Sequence, residues 1–271
     1  MTRLCNAVNK SLLISFWSEK SHSKWLSQNI VTAFPETDFD CVIMLHDNST
    51  WTSHEAYTKF IWIRAQRQIR FWYLKRFITP YILRAYRYIW VVNDDAELAF
   101  KPLHYQCVVD HLNIPLSGPV YLSGAHAHPI TNPDSNFIQK IGRWTDFVET
   151  GIVLVGSSLA WECIWKYLDL ATGFGWGIDL VWCKMIGIKC LPKGQENRAC
   201  AILDAFGMHH RTDGIVSIAK GSPEAAAYQI LEYKIFNTKM KNFAPVAENR
   251  DIFDSCSKNE KNSSAVIVSK L

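Results

Sequence analysis

The chain has little excess of either charge. Its 271 residues carry 29 Lys and Arg against 25 Asp and Glu, a net +4. That balance is not the overall basic excess of a nucleic-acid-binding domain. No apolar run approaches the roughly 20 residues needed to cross a bilayer. The best run near the N-terminus, Leu12 to Trp17, is also too short for a signal-peptide core. No CxxC occurs among the eight cysteines, which argues against a zinc knuckle or a thioredoxin-like redox site. Cys190 and Cys200 flank the loop LPKGQENRA. They could pair in an oxidising compartment, but in a cytosolic chain they are expected as ordinary thiols. There is no internal repeat and no low-complexity tract.

What is present suits one sizeable core. Hydrophobic residues make up 48%, with eleven Trp and ten Tyr, most of them expected to fill the interior. SLLISFWS (11–18) reads as a buried strand and SHSKWLSQNIVTAF as a helix with Trp25, Leu26 and Ile30 inward. FDCVIMLHD (39–47) and KFIWIRA (59–65) read as strands. RQIRFWYLKRFI (67–78) has helical spacing that puts Ile69, Trp72, Tyr73 and Arg76 on one face. RYIWVV is a further strand. Apolar strands with helices between them predict an α/β protein with parallel strands in a single central sheet. Later, FVETGIVLVGSSLAWECIWKYL reads as a strand and then a helix capped by Ser157 or Ser158. CAILDAFGMHH reads as a last strand. The predicted domain covers 8–235, and 236–271 is expected as a polar, flexible tail.

Four stretches carry chemistry. The strand through Val92 runs into Asn93, Asp94, Asp95 and Glu97. Ligands of open α/β sheets bind beyond the carboxyl ends of strands, and clustered carboxylates suit hard divalent cations. A solvated turn is the plainer explanation, since Asn and Asp favour turns. GFGWGID (173–179) could let a flat ligand approach at Gly175 and Gly177, with Trp176 stacking on a sugar. Asp179 is either a helix N-cap or a base for a hydroxyl. His209 and His210 close a strand and could supply an imidazole to a metal, although such a pair is more often surface or core. His46 and Asp47 close another strand. The cations Arg64, Arg67, Arg70, Lys75, Arg76, Arg84 and Arg87 mingle with aromatics. An amphipathic helix with a basic outer face explains most of them, with one or two left to face an anionic phosphate.

These blocks together resemble the plant-type domain-of-unknown-function 707 family. The carrying segments are WYLKRFITPYILRAYRYIWVVNDDAEL, WTDFVETGIVLVGSSLAWECIWKYL, GFGWGIDLVWC and ILDAFGMHHRTDG, in that order over about 8–215. That family is similar to GT-A glycosyltransferases. The resemblance implies a GT-A-like nucleotide-diphospho-sugar transferase fold with a mostly parallel sheet flanked by helices. It implies Mn2+ or Mg2+ at the acid cluster, with a UDP- or GDP-linked sugar donor. By position, Asp95 matches the direct metal ligand and His210 a further ligand. Asp94 holds the middle place, and Asn93 replaces the first acid, where it can bond a ribose but brings no charge. Asp179 matches the catalytic base of an inverting transfer. Trp176 and Glu149 would shape the acceptor pocket, Lys75 would face the phosphates, and Asp47 would help bind the nucleotide.

The expected function is therefore a metal-dependent glycosyltransferase acting on a glycan or other hydroxyl acceptor. The rivals are a non-catalytic nucleotide- or glycan-binding protein, favoured by Asn93, and a metal-dependent phosphoester hydrolase using Asp94, Asp95 and His210. The expected location is a soluble one after cytosolic synthesis. Ser269-Lys270-Leu271 has the form of a peroxisomal import signal. A start truncated upstream would favour the Golgi lumen instead.

Overall fold

The computed structural model describes residues 10–66, 68–124, 128–133, 140–171, 173–211, 223–239 and 249–253. The strands are β1 (Ser11–Trp17), β2 (Phe39–Leu45), β3 (Ile61–Arg64), β4 (Tyr88–Asn93), β5 (Ala96–Leu98), β6 (Leu116–Ser123), β7 (Gly142–Thr145), β8 (Val153–Ser157), β9 (Cys200–His210) and β10 (Asn249–Phe253). The helices are α1 (Trp25–Ala33), α2 (Arg70–Phe77), α3 (Pro80–Arg84), α4 (Pro102–His111), α5 (Ser158–Tyr167), α6 (Trp182–Cys190) and α7 (Pro223–Lys239).

The protein is α/β, with one sheet ordered β10-β7-β9-β6-β8-β4-β1-β2-β3 and β5 paired to β9. The sheet is mixed. β3-β2-β1-β4 is parallel, whereas β4-β8, β6-β8, β7-β9, β5-β9 and β10-β7 are antiparallel. The parallel part has the strand order of a mononucleotide-binding half. The chain runs outward from β1 to β3 and returns to β4 on the other side of β1. That reversal opens a crevice between the carboxyl ends of β1 and β4, where Phe16 and Asn93 are in register.

The cause is legible in the strands. β1 is buried at every position and β4 at all but Asn93, as a sheet covered on both faces requires. One face packs on α2, α3, α5 and α6 through Phe71, Leu74, Leu83, Ile164 and Ile186. The other packs on α1 and α4 through Leu26, Ile30, Tyr105 and Val109.

Several expectations are revised. α2 starts at Arg70, so the residues it buries are Phe71, Tyr73 and Leu74, not a face of Ile69, Trp72, Tyr73 and Arg76. After α2 ends at Phe77, Pro80 opens α3, with the Thr79 hydroxyl as its cap. Ordered elements run past 235: α7 reaches Lys239, and β10 joins β7 at the sheet edge. Cys190 and Cys200 do not pair with each other. Cys190 bonds Cys163, with Cα atoms 6.3 Å apart. Cys200 bonds Cys183, with Cα atoms 5.5 Å apart. Positions 183 and 190 lie two turns apart on α6, so one bond ties the helix to β9 and the other to α5. Cys107 is also disulfide-bonded, while the buried Cys41 is a free thiol. Arg67 and Ser269-Lys270-Leu271 lie outside the described residues. Among the described residues, no helix is long and apolar enough to cross a membrane.

Candidate active site

The acid cluster is built by a short strand that sequence spacing did not reveal. After β4, Asp94 and Asp95 turn the chain into β5, which pairs antiparallel with the end of β9. Ala96 lies opposite His210 and Glu97 opposite His209. This pairing joins residues 115 positions apart, setting the His210 Nε2 3.3 Å from the Asp95 Oδ2. The Asp95 Oδ1 is buried and has no hydrogen-bond partner among the described residues. A carboxylate oxygen left this way is costly unless a ligand completes it.

Asp94 turns the other way. Its Oδ1 lies 3.0 Å from the Lys24 Nζ, and the Ser21 hydroxyl donates to its Oδ2. Burial pushes its carboxyl up to about 7; Lys24 opposes the shift and the Asp95 charge adds to it. Asp94 is therefore engaged by the protein itself. Asn93, half-buried, donates its main-chain N–H to the Ile152 carbonyl at 2.9 Å. Glu97 bonds the Arg211 guanidinium, which holds it below the usual carboxylate range.

Asp95 and His210 fit a divalent ion as two ligands of an incomplete shell. The orphaned Oδ1 supplies a ligand oxygen that no described residue engages. Among the described residues no three His, Cys, Asp or Glu side chains gather to close a shell. The remaining positions would come from ligand oxygens and water, as is usual for Mg2+ at phosphates.

The second carboxylate pair is Asp179 and Glu149. Asp179 lies in the turn before α6, whose N-cap is Val181, so it does not cap the helix. The Thr150 hydroxyl donates to its Oδ2 at 3.3 Å. Burial pushes its carboxyl up to about 6, against hydrogen bonds from Thr150 and neighbouring backbone. Glu149 accepts the His128 N–H at 3.1 Å and the Thr131 hydroxyl at 3.4 Å. Burial raises its pKa, and the charge of Asp179 adds to the shift.

Arg70 joins the two pairs. It stands in the first turn of α2 and donates Nη1 to the carbonyls of Thr150 and Gly151. Burial lowers its pKa, while Tyr121, Asp179, Asp95 and Glu149 oppose the shift. One fixed cation thus sits in the field of three carboxylates. The sequence reading counted Arg70 among the basic residues but chose Lys75 for the phosphates. Lys75 instead places its Nζ 2.9 Å from the Trp165 carbonyl and 3.5 Å from the Trp165 ring centroid.

The Gly-rich loop is shaped by packing. Gly175 and Gly177 have φ of +83° and +87°, and a Cβ at either would meet the Phe71 or the Tyr233 ring. Both glycines are thus required by backbone and neighbours, because those rings occupy the place a side chain would take. The loop is clamped by a residue not singled out in the sequence, Glu232 of α7. Its buried carboxylate accepts the N–H of Phe174 at 2.9 Å and of Trp176 at 2.8 Å. Nothing in local spacing marks a partner 56 residues away.

Asp47 lies at the same sheet edge, in a cavity of about 390 Å3 lined by Glu19, His22, Asp47, Asn48, Ser49 and Thr50. Burial opposes its ionisation, but hydrogen bonds from Ser49 and the Glu19 backbone outweigh it and lower its pKa. The 3-10 turn Glu19–Ser23 spans both places. Its Glu19 N–H donates to Asp47 at 2.7 Å, and its Ser21 reaches Asp94.

A run of matched residues from 6 to 244 fits the family described as protein of unknown function, DUF707. The chain belongs to this family. No curated protein matches. Among solved structures it is similar to S. aureus TarS 1-349, at 10% identity and TM-score 0.48, covering 86% of this chain and 73% of that one. The complex of the same fragment with UDP gives 11% identity, TM-score 0.47 and coverages of 86% and 72%. The UDP-GlcNAc complex gives 10% identity, TM-score 0.43 and coverages of 86% and 74%.

Proposed function

We propose that this DUF707 chain is a glycosyltransferase that moves a sugar from a nucleotide-sugar to a hydroxyl acceptor. The observation that carries this reading is the meeting of two carboxylate sets at one crevice. Asp95 with His210, and Asp179 with Glu149, lie around Arg70 beyond the carboxyl ends of β1 and β4. Phosphoester hydrolysis by two metal ions would need a larger donor set than the described residues gather.

Asp95 and His210 would hold Mn2+ or Mg2+, which when bound would clamp the donor diphosphate and stabilise the leaving group. Asn93 offers its amide to the ribose. The cavity beside Asp47 has the size of a small-molecule site and takes the nucleoside, with UDP or GDP as the donor nucleotide. Arg70 lends a permanent positive charge to the phosphate side of the site. Asp179 accepts the proton of the acceptor hydroxyl. A base with a pKa near 6 is largely ionised at neutral pH yet still basic enough to assist attack. Thr150 fixes its orientation, and Glu149 binds a neighbouring hydroxyl. Attack from the face opposite the leaving group gives inversion. A binding protein without turnover is the second reading. Asp94's commitment to Lys24 and Ser21 favours it, because the middle acid then adds no ligand.

Thermal stability with UDP or GDP, with and without Mn2+, tests the donor site in wild type and Asp95→Ala. A ligand at 100 times its Kd raises stability by about 2.7 kcal/mol. A nucleotide shift that needs Mn2+ and disappears in Asp95→Ala is expected. No shift with either nucleotide would overturn the reading.

A further inference from the structure

Helix α7 and the Gly-rich loop bring a row of aromatic rings together. Glu232 anchors α7 to the Gly-rich loop through Phe174 and Trp176. Tyr228 stands one turn earlier on the same helix face. The Phe174 ring lies 6.4 Å from Trp176, tilted 37°, and 6.3 Å from Tyr228, tilted 54°. These are the separations of rings in contact. Tyr228 is 53% exposed, and Phe174 and Trp176 are half-buried. Behind them Tyr233 packs against Gly177 and sits in the field of Asp179.

Carboxylates lie near the row, since Asp179 acts on Tyr233 and on Glu149. Asp179 follows Trp176 by three residues, and Glu149 shares its field. A surface of this kind suits a ligand with apolar C–H faces and many hydroxyls. The rings take the faces, and the carboxylates accept hydrogen bonds from hydroxyls. An anionic partner would be repelled there, and an apolar peptide would leave the carboxylates unpaired.

We infer that α7 and the Gly-rich loop together form a subsite for a neutral sugar chain, with Tyr228 as its outer stacking residue and Phe174 and Trp176 inside it. Glu232 is a positioning residue that holds the loop's main chain and so fixes the row. The inference deepens the transferase reading by naming the acceptor class, and it rests on that reading for the direction of transfer. Sugar binding itself needs no turnover.

The test is saturation-transfer NMR on the full chain, without nucleotide, using cellotetraose, xylotetraose and mannotetraose. Wild type, Tyr228→Phe and Tyr228→Ala are compared, and each variant's unfolding midpoint certifies its fold. Saturation of pyranose C–H protons in at least one sugar is expected. Tyr228→Phe keeps the affinity, and Tyr228→Ala weakens it about five- to tenfold, the effect of one lost ring contact. Absence of saturation in all three sugars would overturn the inference, as would equal affinity of the Ala variant. The two readings separate cleanly. Tyr228-dependent sugar binding without nucleotide binding leaves a glycan-binding protein. Nucleotide binding without sugar binding removes the subsite and leaves the donor site standing.

Discussion

Arg70→Met tests whether one guanidinium holds the two carboxylate sets together. The substitution keeps much of the side-chain volume and removes both the charge and the donors. Two carbonyls, those of Thr150 and Gly151, lose their partner. An unsatisfied buried polar group costs about 1–3 kcal/mol. Asp95, Glu149 and Asp179 also lose the only charge shown opposing their own in common. Removing one member of a buried charge network typically costs about 3–5 kcal/mol.

The two contributions respond differently to pH. The carbonyl contribution is constant. The charge contribution requires ionised carboxyls, and Asp179 ionises at about 6 in the folded protein. The destabilisation by Arg70→Met is therefore smaller at pH 5 and larger at pH 8. Urea unfolding at the two pH values measures it, with Arg70→Lys as the variant that restores charge without the planar fork. Equal destabilisation at pH 5 and pH 8 would refute the charge role, leaving Arg70 a strut for the 149–152 loop. A loss below about 0.5 kcal/mol at both, the range of ordinary surface changes, would refute both roles.

Four further outcomes follow from the structure. The acid limb of kcat/KM for sugar transfer should rise with pH through about 6, and Asp179→Asn should abolish transfer while keeping the Mn2+-dependent nucleotide shift. Because burial raises the folded pKa of Asp179 above its ordinary 3.8, this group makes native stability fall from about pH 4 to 6; Asp179→Asn should flatten that slope in urea titrations. Gly175→Ala should destabilise by about 1–3 kcal/mol, because φ is +83° and the new Cβ would meet the Phe71 ring; an unchanged unfolding midpoint would contradict the loop geometry. Arg143, 1% exposed, lies 3.5 Å from Asp204 and bonds the Ile130 and Asn132 carbonyls; Arg143→Met should cost about 3–5 kcal/mol in chemical denaturation.

The parallel part of the sheet was legible because β1, β2 and β4 are continuous apolar runs, and a strand covered on both faces has no alternative composition. β9 was legible from its buried apolar start, Cys200 to Leu203, although it is only partly covered beyond that. β5 was not, since three residues, Ala96–Leu98, carry no periodicity. Yet β5 creates the meeting of Asp95 and His210, which strand ends suggested only loosely and the family resemblance by position. The buried face of α2 was misplaced because apolar residues fill consecutive positions from Phe71 to Leu74, so helical spacing fits a stripe through Ile69 and Trp72 as well as the buried one through Phe71 and Leu74. Arg70 and Glu232 were missed as site residues for one reason: each acts through main-chain groups far away in sequence. The cysteine pairing was obscured because nearness across a loop was taken for nearness in space. α6 carries Cys183 and Cys190 to different neighbours.

The stitching of α6 makes site architecture a matter of biosynthetic history. Cys163–Cys190 and Cys183–Cys200 hold the helix that begins just after Asp179. Such bonds form where an oxidant is present and are rare where glutathione keeps thiols reduced. Closing loops of 17 and 27 residues is worth about 3 kcal/mol each in the chain-entropy description. The same polypeptide produced in a reducing cell carries every acid of the crevice but lacks the two seams behind one of them. Recombinant material is therefore two distinct reagents, and a negative assay on the reduced form does not test the oxidised one.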